Sequence, residues 1–134
     1  MSTRRWLRGG LILLAVSYGV AGLVQLFSPQ TIYRHGPWVA RLPPYNEHLI
    51  TDIGALTLAL VLTLSVAAVT MQPLMVRTAL TSSLMFGIPH FVFHAMHLTM
   101  FPVSISVTQT AVLSLGIVAP VALLVLCARQ TAAR

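Results

Sequence analysis

The chain alternates long apolar stretches with short polar ones, and the apolar stretches have the length of membrane-spanning helices. They cover residues 9–27, 47–71, 78–100 and 107–127. Each is close to the roughly 20 residues that an α-helix needs to cross a hydrocarbon core. We therefore predict an all-α fold, a single domain over residues 1–134 in which four transmembrane helices form an antiparallel bundle.

The longest polar interruption, residues 28–46, is predicted to be a loop at the outer side of the membrane. It contains four prolines and one glycine, which rule out a continuous helix. Its aromatic residues Tyr33, Trp38 and Tyr45 are suited to the lipid headgroup layer. We expect this loop to lie along the interface as a partial lid.

Composition supports a lipid environment. Of 134 residues, 57% are hydrophobic and only 7% are charged, and the mean hydropathy is +0.86. A soluble domain carries roughly 25% charged residues, so this chain lacks the polar surface to cover itself in water. The net charge of +6 comes from arginines in the tails and loops, without any lysine. We attribute it to membrane topology and to anionic lipid headgroups, and exclude nucleic acid as a partner.

The arginines also predict the orientation. With both termini in the cytoplasm, six arginines lie inside and two outside, in agreement with the positive-inside rule. The inner six are Arg4, Arg5, Arg8, Arg77, Arg129 and Arg134, and the outer two are Arg34 and Arg41. The basic residues 1–8 before the first apolar run also resemble a signal peptide. No A-x-A site closes that run, so we favour a retained span.

Three histidines, His90, His94 and His97, interrupt an otherwise largely apolar stretch of the third run. At about 100° per residue, His94 lies about 40° from His90 around a helix, and His97 about 20° from it on the other side. All three therefore share one stripe. Ionisable groups within a membrane need partners, a water-filled cavity or a ligand.

The only two acidic residues, Glu47 and Asp52, begin the second run, beside His48. A rise of about 1.5 Å per residue puts Asp52 at a depth similar to His94, and Gln25 of the first run in the same layer. We predict that the two stretches face each other and form one polar site in the outer leaflet. The inner half of the bundle holds hardly any polar residues.

Several chemistries use the same residues. A carboxylate-held imidazole is a good ligand for zinc, iron or copper, so a transition metal is one interpretation. Its candidate ligands are His48, His90, His94, His97 and Asp52. A second interpretation is acid–base catalysis by Asp52, His90 and His94 on a lipophilic substrate, or proton relay to a quinone. A third is a haem with His48 and either His90 or His94 as axial ligands.

A non-catalytic interpretation stands beside these. Polar side chains can hydrogen-bond between membrane helices and fix a bundle without any ligand. Glu47 alone is explained by the positive dipole at a helix start, whereas Asp52 is too deep for that role. The alternative is therefore a membrane component whose polar cluster orders the bundle, a homo-oligomer or a membrane partner protein.

Two segments carry a family resemblance. They are Asn46-x-His48-Leu49-x-x-Asp52-x-Gly54-Ala55-Leu56 and the helix with Pro89-His90-x-x-x-His94. With the four-span architecture, they resemble small four-helix bacterial membrane proteins of the DoxX-like type. The resemblance implies a multi-pass protein of the bacterial inner membrane. The best-known members are linked to quinone reduction, so it also implies a redox role, as a small enzyme or an oxidoreductase subunit.

Overall fold

Five α-helices make up most of the described chain. The computed structural model describes residues 3–36, 39 and 44–132, and contains no β-strand among them. The helices are α1 (Thr3–Phe27), α2 (Pro29–His35), α3 (Glu47–Thr70), α4 (Pro73–Met96) and α5 (Val103–Ala132). A 3-10 turn, Leu98–Met100, lies between α4 and α5. The predicted all-helical class is confirmed.

The helices extend beyond most of the predicted apolar runs, because polar residues continue them. Against predicted starts at residues 9, 78 and 107, α1 begins at Thr3, α4 at Pro73 and α5 at Val103. Proline suits the first turn of a helix, where the backbone amide has no intrahelical acceptor. In contrast, α4 ends at Met96, four residues before the predicted end of the third run.

The segment 28–46 is not a loop throughout, because Pro29–His35 forms α2. The proline again lies in the first turn of the helix. The next proline is Pro37, so nothing in between prevents helical hydrogen bonding. Trp38 and Arg41 of this segment, and Arg134 at the chain end, lie outside the described residues.

The four long helices pack as an antiparallel ring in the order α1, α3, α4, α5. α1 packs most extensively against α3, and α4 against α5, while smaller contacts join α3 to α4 and α5 to α1. Arg8 near the start of α1 bonds Ala68 near the end of α3, and Gly10 lies against Leu123 of α5. These contacts establish that neighbouring helices run in opposite directions.

The two ends of the ring differ in their charged and ionisable residues. We call one the arginine end, because it carries Arg4, Arg5, Arg8, Arg77 and Arg129. We call the other the histidine end, because all five histidines lie there: His35, His48, His90, His94 and His97. Both acidic residues are also at the histidine end, in the first two turns of α3.

Within the described residues, three helices are long and apolar enough to cross a membrane: Thr3–Phe27, Glu47–Thr70 and Val103–Gln130. Only 22%, 28% and 17% of the residues in their most apolar windows are buried inside the bundle. The outward residues include many large apolar side chains, such as Leu13, Leu56, Val69, Leu115 and Val118. An apolar surface of this extent is stable in contact with lipid and not with water. The chain is therefore a multi-pass membrane protein.

The hydrophobic core occupies the arginine half of the ring. Its buried leucines come from all four long helices: Leu7, Leu11 and Leu14 of α1, Leu64 of α3, Leu80 of α4 and Leu123 of α5. α5 also adds Cys127. Arg8 closes this end of α3, because its Nε donates to the carbonyl of Ala68 at 3.0 Å and its Nη2 to that of Val69 at 3.5 Å. Carbonyls in the last turn of a helix have no intrahelical partner, so these bonds stabilise the end of α3.

Two glycines allow α1 and α3 to approach closely in the histidine half. A Cβ on Gly54 would lie 2.7 Å from the backbone nitrogen of Leu26, and one on Gly22 would lie 3.2 Å from the Gly54 carbonyl oxygen. Small residues at such crossings are typical of helix packing in membranes. This crossing determines which face of α3 turns toward α1, and therefore which face turns away.

Candidate functional site

A cavity of about 350 Å³ lies at the histidine end, between α1, α2, α3 and α4. Most of its wall is apolar, with Ile32, Leu49, Ile50, Ile53 and Phe93 among the lining residues. Its polar side chains are Gln25, Tyr33, Asn46, His90 and His94. A volume of this size and an apolar wall with a few polar groups are typical of small-molecule sites.

His94 is the most deeply buried ionisable group of the cavity, with 3% of its surface exposed. Its Nδ1 is buried and has no hydrogen-bond partner. The ring is held by edge contacts, 4.7 Å from the ring centre of His90 and 5.6 Å from that of Phe93. Packing therefore fixes the imidazole, while its buried Nδ1 is left unsatisfied by the described residues.

His90 lies one turn before His94 and is half-buried. Its ring stacks on Phe86 at 5.4 Å between centres. The helix continues through Pro89, although proline cannot donate to the carbonyl of Met85 four residues earlier. Phe86 and His94 thus hold the His90 ring from both sides along the helix.

Gln25 reaches the cavity from α1. Its Oε1 is buried and has no hydrogen-bond partner. The residue is positioned by the α1–α3 crossing, because its Cβ lies 2.9 Å from the place where a Gly54 Cβ would be. The predicted proximity of Gln25 to the histidines is therefore supported by a shared cavity.

His48 and Asp52 do not line the cavity, and the prediction that they face the α4 histidines is wrong. They form an exposed i, i+4 pair at 3.4 Å, with 87% and 58% of the respective side chains exposed. With α3 close to α1, the residues of and before its first turns that line the cavity are Asn46, Leu49, Ile50 and Ile53. At about 100° per residue, His48 and Asp52 then point to another side of the helix.

Glu47 and His97 are also outside the cavity lining. Glu47 accepts a hydrogen bond of 3.2 Å from the exposed Tyr45 hydroxyl, and desolvation together with this carboxylate raises the pKa of Tyr45. The Nδ1–H of His97 donates to the carbonyl of Phe93 at 2.6 Å, so this side chain caps the C-terminus of α4. The predicted stripe thus divides, with two histidines in the cavity and the third bonded to its own helix.

The five predicted metal ligands are not gathered at one point. Within residues 3–36, 39 and 44–132, no three His, Cys, Asp or Glu side chains lie close enough together to hold a metal ion. The orientation of α3 is the reason, because it separates His48 and Asp52 from His90 and His94. A metal held by three or more of these groups has no support in this arrangement, and neither does a haem between His48 and α4.

Gln109 of α5 is a buried polar residue that is not among the predicted site residues. It is fully buried, and both its Oε1 and its Nε2 lack hydrogen-bond partners. The register places it opposite His94. Gly87 of α4 lies against Gly116 of α5. His94 follows Gly87 by seven residues, and Gln109 precedes Gly116 by seven. Seven residues correspond to a rise of about 10.5 Å and to almost two full helical turns, so both side chains return to nearly the same face as the glycines.

Three helices therefore contribute unpaired polar atoms at the histidine end: Gln25, His94 and Gln109. Leaving such groups without partners in a low-dielectric interior costs about 1–3 kcal/mol each. Buried hydroxyls elsewhere are satisfied by their own helices, as in Ser83 to the Ala79 carbonyl and Thr57 to that of Ile53. Gln25 and His94 line the cavity, whereas Gln109 is not among its lining residues, so the first two are the candidates to bind a molecule with its own donors and acceptors.

Comparison with known proteins identifies no relative. No family model, no curated protein and no solved structure matches this chain.

Proposed function

We propose that this protein spans the membrane four times and binds a lipophilic small molecule with a hydrogen-bonding head group in the cavity at the histidine end. The observation that carries the proposal is a largely apolar cavity of about 350 Å³ lined by His94, whose buried Nδ1 has no hydrogen-bond partner among the described residues. A tail suits the apolar wall, and a polar head suits His94 and Gln25.

The fourth span in this proposal is α4, which lacks an 18-residue window as apolar as those of the other three long helices. Its 24 residues rise about 36 Å, enough to cross a hydrocarbon core of about 30 Å. A two-residue turn at Met71 and Gln72 joins it to α3, and it packs between α3 and α5. A helix between two spanning neighbours occupies the same layer of the membrane.

For the orientation, we propose that the arginine end faces the cytoplasm and the cavity lies toward the opposite side. The described arginines Arg4, Arg5, Arg8, Arg77 and Arg129 at one end support this by the positive-inside rule. The resemblance to DoxX-like proteins favours the cytoplasmic membrane of a bacterium.

The ligand class that we propose is an isoprenoid quinone and its quinol. A quinone is a planar ring with an oxygen at each end and an apolar tail. The carbonyl of the quinone can accept a bond from a Nδ1–H of His94, and the hydroxyl of the quinol can donate to Oε1 of Gln25. The resemblance stated above favours the same class and leaves open whether the protein is an enzyme or an oxidoreductase subunit.

The alternative, a polar cluster that only orders the bundle, requires these groups to bond one another across helices. The unpaired atoms of Gln25, His94 and Gln109 argue against it. A bundle-ordering role would leave fewer of them without partners.

Quinone binding to purified protein tests the proposal. We would titrate a short-tailed benzoquinone and its quinol, and compare each with an alkylbenzene of the same tail. The key variant is His94→Leu, and the matched control is His97→Leu, which alters a histidine of the same stripe outside the cavity lining. Loss of one hydrogen bond predicts about tenfold weaker binding of at least one redox form to His94→Leu.

The control variant His97→Leu should bind like the unaltered protein. His94→Leu replaces an unpaired polar group with an apolar one, so thermal unfolding should show a folded protein. Equal affinity of the quinone and the alkylbenzene, or equal affinity of both variants, would overturn the proposal.

A further inference from the structure

A second depression lies on the outside of the bundle, between α1 and α3 in the arginine half. It has a volume of about 570 Å³. Its wall includes Ile12 and Val16 of α1 and Val61, Ser65 and Val69 of α3, and Arg8 also lines it. We call this depression the Arg8 groove. It does not share a residue with the cavity at the histidine end.

The groove exists because small side chains line its centre. Ala15, Ser65 and Ala68 leave space that a leucine at any of these places would occupy. From Arg8 to Val16 the groove follows α1 for about 12 Å. It is open at the side that faces lipid, so its apolar wall is accessible to an acyl chain.

Arg8 is fixed at the arginine end of the groove. Its two hydrogen bonds to the carbonyls of Ala68 and Val69 hold the guanidinium against the end of α3. A guanidinium carries five N–H donors, so others remain for an anion. Phosphate oxygens match this geometry, since arginine binds them through pairs of parallel hydrogen bonds.

The chain itself supplies no carboxylate side chain at this end. Its only acidic residues, Glu47 and Asp52, begin α3 at the histidine end. Arg4 and Arg5 lie within the first turn of α1, close to Arg8 in sequence. No acidic side chain at this end compensates the positive charge, and the lipid headgroup layer supplies anions close to it.

We propose that the Arg8 groove binds one anionic phospholipid, with an acyl chain along the apolar wall and the phosphate on Arg8. The positive charge of Arg8 favours an anionic head group, and the apolar groove beside Arg8 accommodates the acyl chain. The site is independent of the quinone proposal, because it uses other residues at the opposite half of the bundle.

Native mass spectrometry with added lipid tests this site. The protein in mild detergent would be titrated with phosphatidylglycerol and with phosphatidylcholine of the same acyl chains. One phosphatidylglycerol per chain should bind about fivefold more tightly than phosphatidylcholine, the effect of one additional favourable charge contact.

Three variants distinguish the contribution of the Arg8 charge to lipid binding from the contribution of the groove. Arg8→Gln should weaken phosphatidylglycerol binding about fivefold, and Arg5→Gln, the same charge change outside the groove lining, should weaken it much less. Ser65→Leu fills the groove without a charge change and should weaken binding of both lipids. Thermal unfolding checks each variant, and Ser65→Leu carries the test if loss of the Arg8 bonds unfolds the bundle.

Two results would overturn the proposal. One is equal binding of the two lipids by the unaltered protein together with unchanged binding by Ser65→Leu. The other is a dimer that forms at the groove, detected as a two-chain species that Ser65→Leu abolishes and phosphatidylglycerol does not dissociate.

Discussion

The arginine half and the histidine half of the bundle are built from the same four helices but meet different requirements. In the arginine half, buried leucines from all four long helices fill the centre, and Arg8 bonds the end of α3. In the histidine half, an apolar cavity remains open, and polar atoms of Gln25, His94 and Gln109 lack partners. One half is optimised for packing, and the other retains unsatisfied groups and empty space.

This difference separates stability from function along the helix axes. Stability needs close contacts, since helices in lipid associate mainly through packing and hydrogen bonds. A binding site needs the reverse, a space and groups without partners. The following substitutions test this division, from the largest expected effect to the smallest.

The largest effect is expected at Leu64, which is fully buried in the arginine half. Leu64→Ala removes packed methyl groups and leaves a cavity, so it should lower the free energy of unfolding by about 2–5 kcal/mol. Reversible unfolding in mixed detergent micelles would measure it. The control Leu62→Ala, on the same helix at a residue that is 65% exposed, should change stability little. Equal losses would contradict a packed core at this end.

Gly54 tests the crossing that positions the cavity. An alanine Cβ would lie 2.7 Å from the Leu26 nitrogen and 2.9 Å from the Gln25 Cβ. Gly54→Ala should therefore push α1 and α3 apart and cost about 1–3 kcal/mol, with weaker quinone binding because Gln25 moves. The control is Gly9→Ala, where a Cβ meets nothing within 4 Å and a helical alanine should stabilise slightly. Unfolding and binding that match the unaltered protein would contradict the close crossing.

Substitution of Gln109 should raise the free energy of unfolding, unlike the two preceding substitutions, which should lower it. Gln109→Leu removes two buried atoms without partners, so the protein without ligand should gain about 1–3 kcal/mol of stability. The matched control Thr108→Val alters an exposed hydroxyl that bonds the Ser104 carbonyl and should change stability little. Thermal unfolding in detergent would measure the stability of both variants. Destabilisation by Gln109→Leu would mean that the amide has partners in the folded protein.

The smallest effect is expected at Asp52. Its pair with His48 is exposed, and such pairs contribute about 0–1 kcal/mol. Asp52→Asn should therefore leave unfolding almost unchanged and quinone affinity the same. The same titration and melting experiments measure both. A large loss of binding would restore Asp52 to the site and require a different orientation of α3.

The sequence predicts much of the fold because apolar runs and polar interruptions are local signals. The runs predict α1, α3, α4 and α5, while α2 is missed because the prolines around it mask a seven-residue interval that can be helical. Helix ends are less predictable, since residues such as Thr3 and Pro73 continue a helix without being apolar. The scarcity of polar residues in one half of the bundle follows from the same pattern, and the buried leucine core lies in that half, the arginine half.

The site is predicted less completely, because it depends on how each helix turns about its axis. His90, His94 and Gln25 are identified as polar residues in apolar runs, and they do line one cavity. His48 and Asp52 carry the same signal, but the Gly22–Gly54 crossing turns them away. Spacing within one helix cannot reveal that rotation. Gln109 shows the converse, since its burial depends on the register of α4 against α5.

The order of helices in the ring has a consequence for assembly. The most extensive contacts join α1 to α3 and α4 to α5, so the chain consists of two hairpins, and the turn at Met71 and Gln72 connects them. Each hairpin can insert into the bilayer as a unit before the two dock. We therefore expect fragments 1–71 and 72–134, expressed together, to reconstitute the protein. The seam between them runs through the cavity wall, where α1 and α3 contribute Gln25 and Ile53 and α4 contributes His94.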